Sequence, residues 1–188
     1  MRGIYYSSNN ADAWVDKSSW LGDNHHVSYF TSFTMGADGT LYVGTSGGVC
    51  RSTDGGDTWL LPSNYDDVYI RGVTISGDGS IFATTVREGV LKSTDSGDTW
   101  TQVNNGLPIE DTYKIIYNPI TNDIFVSTSY ISDSKYHYGV YRSTNLGVSW
   151  ELTNAGLLAN DLISGFAVNH NTGQMFASGF DGVYRSRR

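Results

Sequence analysis

The chain has 188 residues and a mass of 20.6 kDa, enough for one well-buried domain, and its 39% apolar and 13% aromatic content excludes a disordered polymer. Nineteen acidic against twelve basic residues give a net charge of −7, which disfavours nucleic acid and anionic membrane as partners. No apolar run approaches the ~18 residues of a membrane span. The N-terminus lacks the basic-then-apolar layout of a secretory signal, which leaves a cytosolic, a mature or an excised chain open.

In chain order, the first predicted element is a strand-like lead-in, "GIYYS" from Gly3, followed by "SSNNADAW" at 7–14. A linker with Trp20, His25 and His26 leads to an apolar stretch that turns at "GADGT", then to a strand at 41–45, "LYVGT". The lead-in returns as "GVCRS" from Gly48 and runs into "STDGGDTW" at 52–59. The order then repeats: a linker with Tyr65, Asp66, Asp67 and Tyr69, a turn at "SGDGS", "IFATT" at 81–85, "GVLKS" from Gly89 and "STDSGDTW" at 93–100. A third pass has a linker with Glu110, Asp111 and Tyr113, a turn at "NPITND", "IFVST" at 124–128, an insertion "SYISDSKYHYG" at 129–139, "GVYRS" from Gly139 and "STNLGVSW" at 143–150. Asn160 and Asp161 open a fourth, with "MFASG" at 175–179, Asp181 and "GVYRS" from Gly182.

The lead-in glycines are 45, 41, 50 and 43 residues apart, a period of propeller blades or solenoid turns. Gly, Asn and Asp mark the hairpin turns, where positive φ or a side chain bonding its own backbone is needed. Consecutive apolar residues in the lead-in predict a strand buried on both faces, and strands that go from bulky to small predict crowding by neighbouring sheets. One unit therefore reads as four antiparallel strands, A to D: the apolar stretch, the 41–45 type strand, the lead-in, and a strand starting at the Trp. Cys50 aligns with Tyr5, Leu91, Tyr141 and Tyr184, so it is expected to be a buried hydrophobe and not a reactive thiol.

"STDGGDTW" and "STDSGDTW" resemble the Asp-box, the S-x-D-x-G-x-[ST]-W repeat of sialidase-like and xyloglucanase-like β-propellers. The resemblance covers essentially the whole chain and implies an all-β propeller of four-stranded blades, about four of them, in a single domain spanning 1–188. It also implies that the boxes are C–D turns. Asp54, Asp95 and Asn145 then bond across the turn, with Ser52, Ser93 and Ser143 beside them. Gly56, Gly97 and Gly147 take positive φ, and Trp59, Trp100, Trp150 and Trp14 bury their rings between strands or blades. A calcium site is not expected, since two acids three apart offer too few oxygens.

Family enzymes of the sialidase type need an arginine triad and usually an R-I-P motif; neither is present, and Arg71 and Arg87 are the arginines left in mid-chain. A hydrolase of the xyloglucanase type needs two opposed carboxylates about 6.5–9.5 Å apart. The reading preferred here is a non-catalytic module binding a glycan or protein without cofactor; the alternatives are a glycoside hydrolase or a fragment of one, and an architectural repeat of a larger surface protein. By resemblance the ligand face lies opposite the boxes, where Tyr130, Tyr136 and Tyr138 of the insertion join Trp20, Tyr65, Tyr69, Tyr113, Arg87 and Asp181. The resemblance also implies an extracellular or cell-surface location. A monomer closed on itself is favoured over a homo-oligomer, and closure requires the strand after Trp14 to pair antiparallel with 182–186.

Overall fold

The computed structural model describes residues 3–18, 27–61, 67–108, 111–158 and 161–186. Its elements are all strands, and the described residues form no helix. A short hairpin comes first, β1 (Tyr5–Tyr6) with β2 (Val15–Asp16). Then come β3 (Phe30–Met35), β4 (Leu41–Thr45) and β5 (Gly48–Ser52), which pair in that order, with a bridge from Arg51 to Leu60 in the place of a fourth strand. Two complete four-stranded sheets follow. One comprises β6 (Ile70–Ile75), β7 (Ile81–Thr85), β8 (Val90–Ser93) and β9 (Thr101–Gln102). The other comprises β10 (Asp111–Asn118), β11 (Asp123–Ser132), β12 (Lys135–Ser143) and β13 (Glu151–Leu152). The last sheet has three strands, β14 (Gly165–Val168), β15 (Met175–Ser178) and β16 (Val183–Arg185). All pairings are antiparallel.

The sheets pack face to face, and their first strands converge, β3 on β6, β6 on β10 and β10 on β14. The predicted small residues explain how close they come. A Cβ on Gly44 would lie 2.7 Å from Ile70 Cγ2 of the next sheet, and one on Gly72 would lie 3.1 Å from the Tyr113 carbonyl oxygen. Hydroxyls stitch the same seam: Thr31 Oγ1 donates to the Ile70 carbonyl at 2.6 Å, and Thr84 Oγ1 to the Tyr113 carbonyl at 2.8 Å.

Apolar burial lies between the sheets. Trp100 packs with Tyr42 and Val49 of the preceding sheet, Trp150 with Phe82 and Val90, and Trp59 with Val43, Cys50 and, from the β1 side, Ile4. The lead-ins in β5, β8 and the 139–143 part of β12 are buried on both faces, as their apolar pairs predict, whereas β1 and most of β16 are exposed. Cys50 is fully buried, and burial pushes its thiol up to about 12, so the reading as a hydrophobe holds.

Two expectations are corrected. Trp14 is 60% exposed, whereas Trp59, Trp100 and Trp150 are at most 6% exposed. Each buried ring enters the gap between its own sheet and the one before it, and among the described residues no sheet precedes β1–β2. Among the described residues the strand pairing that closure requires is also not formed. β2 pairs with β1, and β16 has β15 as its one strand partner among the described residues.

Candidate functional site

The molecule has two ends with different chemistry. At one end lie the turns that follow β5, β8 and β12. In the first two, the serine hydroxyl (Ser52, Ser93) donates to the aspartate two residues on and accepts the N–H of Gly56 or Gly97. Asp54 and Asp95 each accept the N–H and the hydroxyl of Thr58 or Thr99. The indole N–H of Trp59 or Trp100 closes the turn on the Gly56 or Gly97 carbonyl at 3.1 Å. The hydroxyl of Thr99, its N–H and the hydroxyl of Ser93, in that order, hold Asp95 down to about 2; Asp54 is held below the usual carboxylate range in the same way, the Thr58 hydroxyl leading. Their oxygens serve the turn itself.

The divergent copies keep most of this. Asn145 Oδ1 accepts from Ser143 Oγ and the Ser149 N–H, while Nδ2 donates to Ser149 Oγ. Gly147 donates to Ser143 Oγ, but Trp150 sends its indole N–H to the Val103 carbonyl, 2.7 Å away. The turn before Trp14 keeps Ser7 Oγ to Asn9 Oδ1 and the Ala11 and Ala13 N–H bonds.

At the opposite end, Thr31, Tyr69, Arg71, Val86, Tyr113 and Lys114 line an open cleft of about 530 Å³. Its construction follows from three register shifts. β3 slips against β4 between Phe30 and Ser32, β6 against β7 between Ile70 and Gly72, and β10 against β11 between Thr112 and Ile115. The residues left over are Thr31, Arg71, and Tyr113 with Lys114. A bulge re-aims a side chain out of the regular pleat, and here three successive sheets deliver theirs to one place.

The cleft is cationic and aromatic. The Arg71 guanidinium sits 3.9 Å from the Tyr113 ring centroid, and its Nη2 lies 3.0 Å from Asp111 Oδ2. Arg71 Nη1 is buried without a hydrogen-bond partner among the described residues. Ser129 Oγ donates to Tyr113 Oη at 3.2 Å, which ties the cleft to the root of the insertion. Tyr69 meets Tyr29 across 6.4 Å.

Of the sequence-predicted ligand residues, Tyr69 and Tyr113 line this cleft, and Arg87 stands exposed beside Val86 with φ 73°. Trp20 and Tyr65 lie outside the described residues, as do His25, His26, Asp66, Glu110 and Asn160. The insertion is a two-stranded ribbon that continues β11 and β12 and reverses at Asp133 and Ser134, both at positive φ as a two-residue hairpin turn requires. Its tyrosines do not form one surface. Tyr136 and Tyr138 stack at 6.4 Å, on the face of Ser129 and Ile131, their register partners. Tyr130 stacks on His137 at 5.1 Å on the other face. Asp181 is not part of the cleft lining; it lies between β15 and β16, where Asp161 accepts the Phe180 N–H and the Tyr184 hydroxyl.

Arg71, Lys114 and Tyr29 were not among the candidates. The signal for Arg71 is present, because Thr31, Arg71 and Tyr113 each precede by two an apolar residue at one repeat position, Phe33, Val73 and Ile115. One place in the repeat changes type while its surroundings stay the same.

The sequence matches no known family model, and no curated protein resembles it at a significant level. Solved structures do. A GH74 xyloglucanase from Xanthomonas campestris superposes with a TM-score of 0.74 at 19% identity, over 96% of this chain and 31% of the enzyme. The extracellular domain assigned to a one component system of B. thetaiotaomicron gives 0.73 at 14% identity, over 100% of this chain and 25% of that one. YCF48 from Cyanidioschyzon merolae gives 0.70 at 15% identity, over 96% and 59%. The chain has a β-propeller fold, and it spans about a third or less of the first two proteins and under two thirds of the third.

Proposed function

We propose that this chain is a non-catalytic β-propeller module of the Asp-box kind that binds a glycan or a protein in the cleft opposite the repeated turns. The observation that carries this reading is the set of three bulges that bring Thr31, Arg71 and Tyr113 to one cleft, with Arg71 stacked on Tyr113 and one of its nitrogens buried without a partner among the described residues. Tyrosine rings offer a sugar a stacking face and a hydroxyl, and a guanidinium offers donors to a ring hydroxyl, a carboxylate or a peptide carbonyl. The described lining contains no carboxylate, and Asp111 beside it is held by Arg71. That favours binding over glycosidic cleavage, which needs two carboxylates facing the scissile bond. A role outside the cell is supported by the likeness to an extracellular domain.

The likeness to a GH74 xyloglucanase favours a second reading, a fragment of a glycoside hydrolase. A glycan array run beside a panel of chromogenic glycosides separates the two. Binding without turnover, weakened roughly tenfold or more by Arg71→Ala at unchanged fold, is the expected result for an anchor in a cleft. Turnover, or binding indifferent to Arg71, sinks the proposal.

A further inference from the structure

Five pairs in the chain set a carboxylate or carboxamide residue directly before a glycine: Asp38, Asp54, Asp78, Asn105 and Asp181. A glycine there leaves its own backbone nitrogen open to approach, since it has no side chain to block the path. What the preceding side chain is doing then decides whether the pair stays inert. Asp38 accepts the N–H and hydroxyl of Thr40 at 3.0 and 2.9 Å, Asp78 accepts those of Ser80 at 3.0 and 3.1 Å, and Asp54 accepts those of Thr58. Asp181 is a carboxylate, whose carbon has no good leaving group and resists a nucleophile.

Asn105 differs in both respects. Its side chain is exposed, carries an amide nitrogen that can leave as ammonia, and makes one long bond among the described residues, Nδ2 to the Val148 carbonyl at 3.4 Å. It occupies the second place of a turn that the Leu107 N–H closes on the Asn104 carbonyl at 2.9 Å, with Gly106 third at φ 93°. The Gly106 N–H donates to no acceptor among the described residues. The same turn returns in the next repeat, where Leu157 closes on Asn154 at 2.9 Å and Gly156 has φ 89°, with Ala155 in the place of Asn105. The structural amide of the turn is its first residue: Asn104 and Asn154 each hold a lead-in strand, accepting the N–H of Val90 and of Val140, both at 2.8 Å. The turn therefore does not need the amide of Asn105.

We propose that Asn105 is a site of spontaneous covalent modification, in which the Gly106 nitrogen attacks the Asn105 amide carbon. The N–Cγ bond forms, the Cγ–Nδ2 bond breaks, and Nδ2 leaves as ammonia with the proton of the Gly106 N–H. The product is a five-membered imide that one water opens at either carbonyl. Opening at the side-chain carbonyl leaves aspartate at 105. Opening at the main-chain carbonyl leaves isoaspartate, with the main chain running through the former side chain and longer by one carbon. This second product strikes a packed seam. The Asn105 carbonyl accepts the Trp150 N–H at 2.9 Å, and Gly106 lies so close to the Trp150 carbonyl that a Cβ has no room, so the turn holds the backbone of a buried tryptophan. The extra carbon displaces the Asn105 carbonyl and loosens Trp150 in the gap between β6–β9 and β10–β13.

Ageing of the 1–188 chain in warm, mildly alkaline buffer tests this, read by peptide mass mapping with fragmentation that separates aspartate from isoaspartate. Asn105 is expected to convert first among the asparagines, to a mixture of both products. The rate is expected to rise with hydroxide concentration, because the attacking nitrogen must lose its proton. The aged fraction is expected to unfold at a lower denaturant midpoint than the fresh protein. Asn105→Ala, which installs the residue of the sister turn, is expected to fold as the parent does and to keep its midpoint on ageing. Asn105→Asp separates the added charge from the lengthened main chain, and it is expected to lose less than the aged fraction. An intact Asn105 when another asparagine has converted, aspartate without isoaspartate, or an aged chain as stable as the fresh one overturns the proposal.

Discussion

Trp100 and Trp14 follow turns of the same kind, with the same serine-to-acceptor bond at the start, yet one is 6% exposed and the other 60%. The turn therefore does not bury the ring; the neighbouring sheet does. Around Trp100 that neighbour is the face of Tyr42 and Val49, and among the described residues Trp14 has no such face. Local sequence fixes the reversal, and the long-range stacking of sheets decides how much the tryptophan contributes to stability.

The sharpest way to break this comparison is truncation of both rings. Trp100→Ala is expected to lower stability by about 3–5 kcal/mol, as removal of a large buried aromatic does. Trp14→Ala is expected to stay within about 0.5 kcal/mol of the parent, as exposed positions do. Denaturant unfolding of the two variants measures the difference, and equal losses would mean that the turn itself carries the energy.

The seam between sheets can be tested without touching a tryptophan. A Cβ at Gly72 would lie 2.8 Å from Thr84 Oγ1 and 3.1 Å from the Tyr113 carbonyl oxygen, one of them backbone that cannot swing aside. Gly72→Ala is therefore expected to lose about 1–3 kcal/mol through overpacking. Because Gly72 follows Arg71 at a bulge, the same change should also weaken ligand binding at the cleft. Gly79→Ala is the control for space, with nothing within 4 Å of its Cβ, although its φ of +83° makes it strained for a different reason.

A smaller effect separates the acidic turns from the Asn145 turn. Asp95 is held near 2, below its ordinary value of 3.8, chiefly by the Thr99 hydroxyl. A carboxylate depressed in the folded state contributes stability that is fully present above the unfolded value and is lost as pH falls through the folded one. The contribution of this turn should therefore fade between about pH 4 and pH 2. Asn145 accepts the same two bonds through Oδ1 without titrating. Asp95→Asn is expected to leave the unfolding midpoint nearly unchanged at pH 7 and to flatten its fall below pH 4. An acid limb identical to the parent's would show that the depressed carboxylate is not what the native state loses.

The sheets, their order and the both-face burial of the lead-ins at 48–52, 90–93 and 139–143 were legible in the sequence because each depends on a pattern repeated in register, whereas the lead-in β1 and most of the lead-in β16 are exposed. Tyr69 and Tyr113 were legible as members of the far face for the same reason. Arg71 was not singled out: its place two residues before a repeated apolar position is visible, but the bulge that turns it into the cleft exists only as a slip in pairing between two strands. The exposure of Trp14 was hidden as well, because a repeat unit reads the same whether or not another sheet lies beside it. The insertion at 129–139 was visible as extra length, but its division into two faces depends on the β11–β12 register, which pairs Tyr130 with His137 and Ser129 with Tyr138.

That division gives the smallest expected effect on folding and the finest test of the cleft's extent. Tyr136 is 62% exposed, and it stacks on Tyr138 on the face that also presents Ser129, whose hydroxyl bonds Tyr113 in the cleft. Replacing Tyr136 and Tyr138 together by Ala should shift stability by no more than about 0.5 kcal/mol, since both lie on a ribbon that projects past the inter-sheet core. If a ligand held at Arg71 and Tyr113 runs along that face, the double variant should weaken its binding by about 1 kcal/mol or more, while Tyr130→Ala, on the opposite face, should not. Titrating the ligand identified on the array against all three proteins at matched stability decides it. Equal affinities would confine the site to the bulge residues, and a loss on Tyr130→Ala alone would place the ligand on the other side of the ribbon.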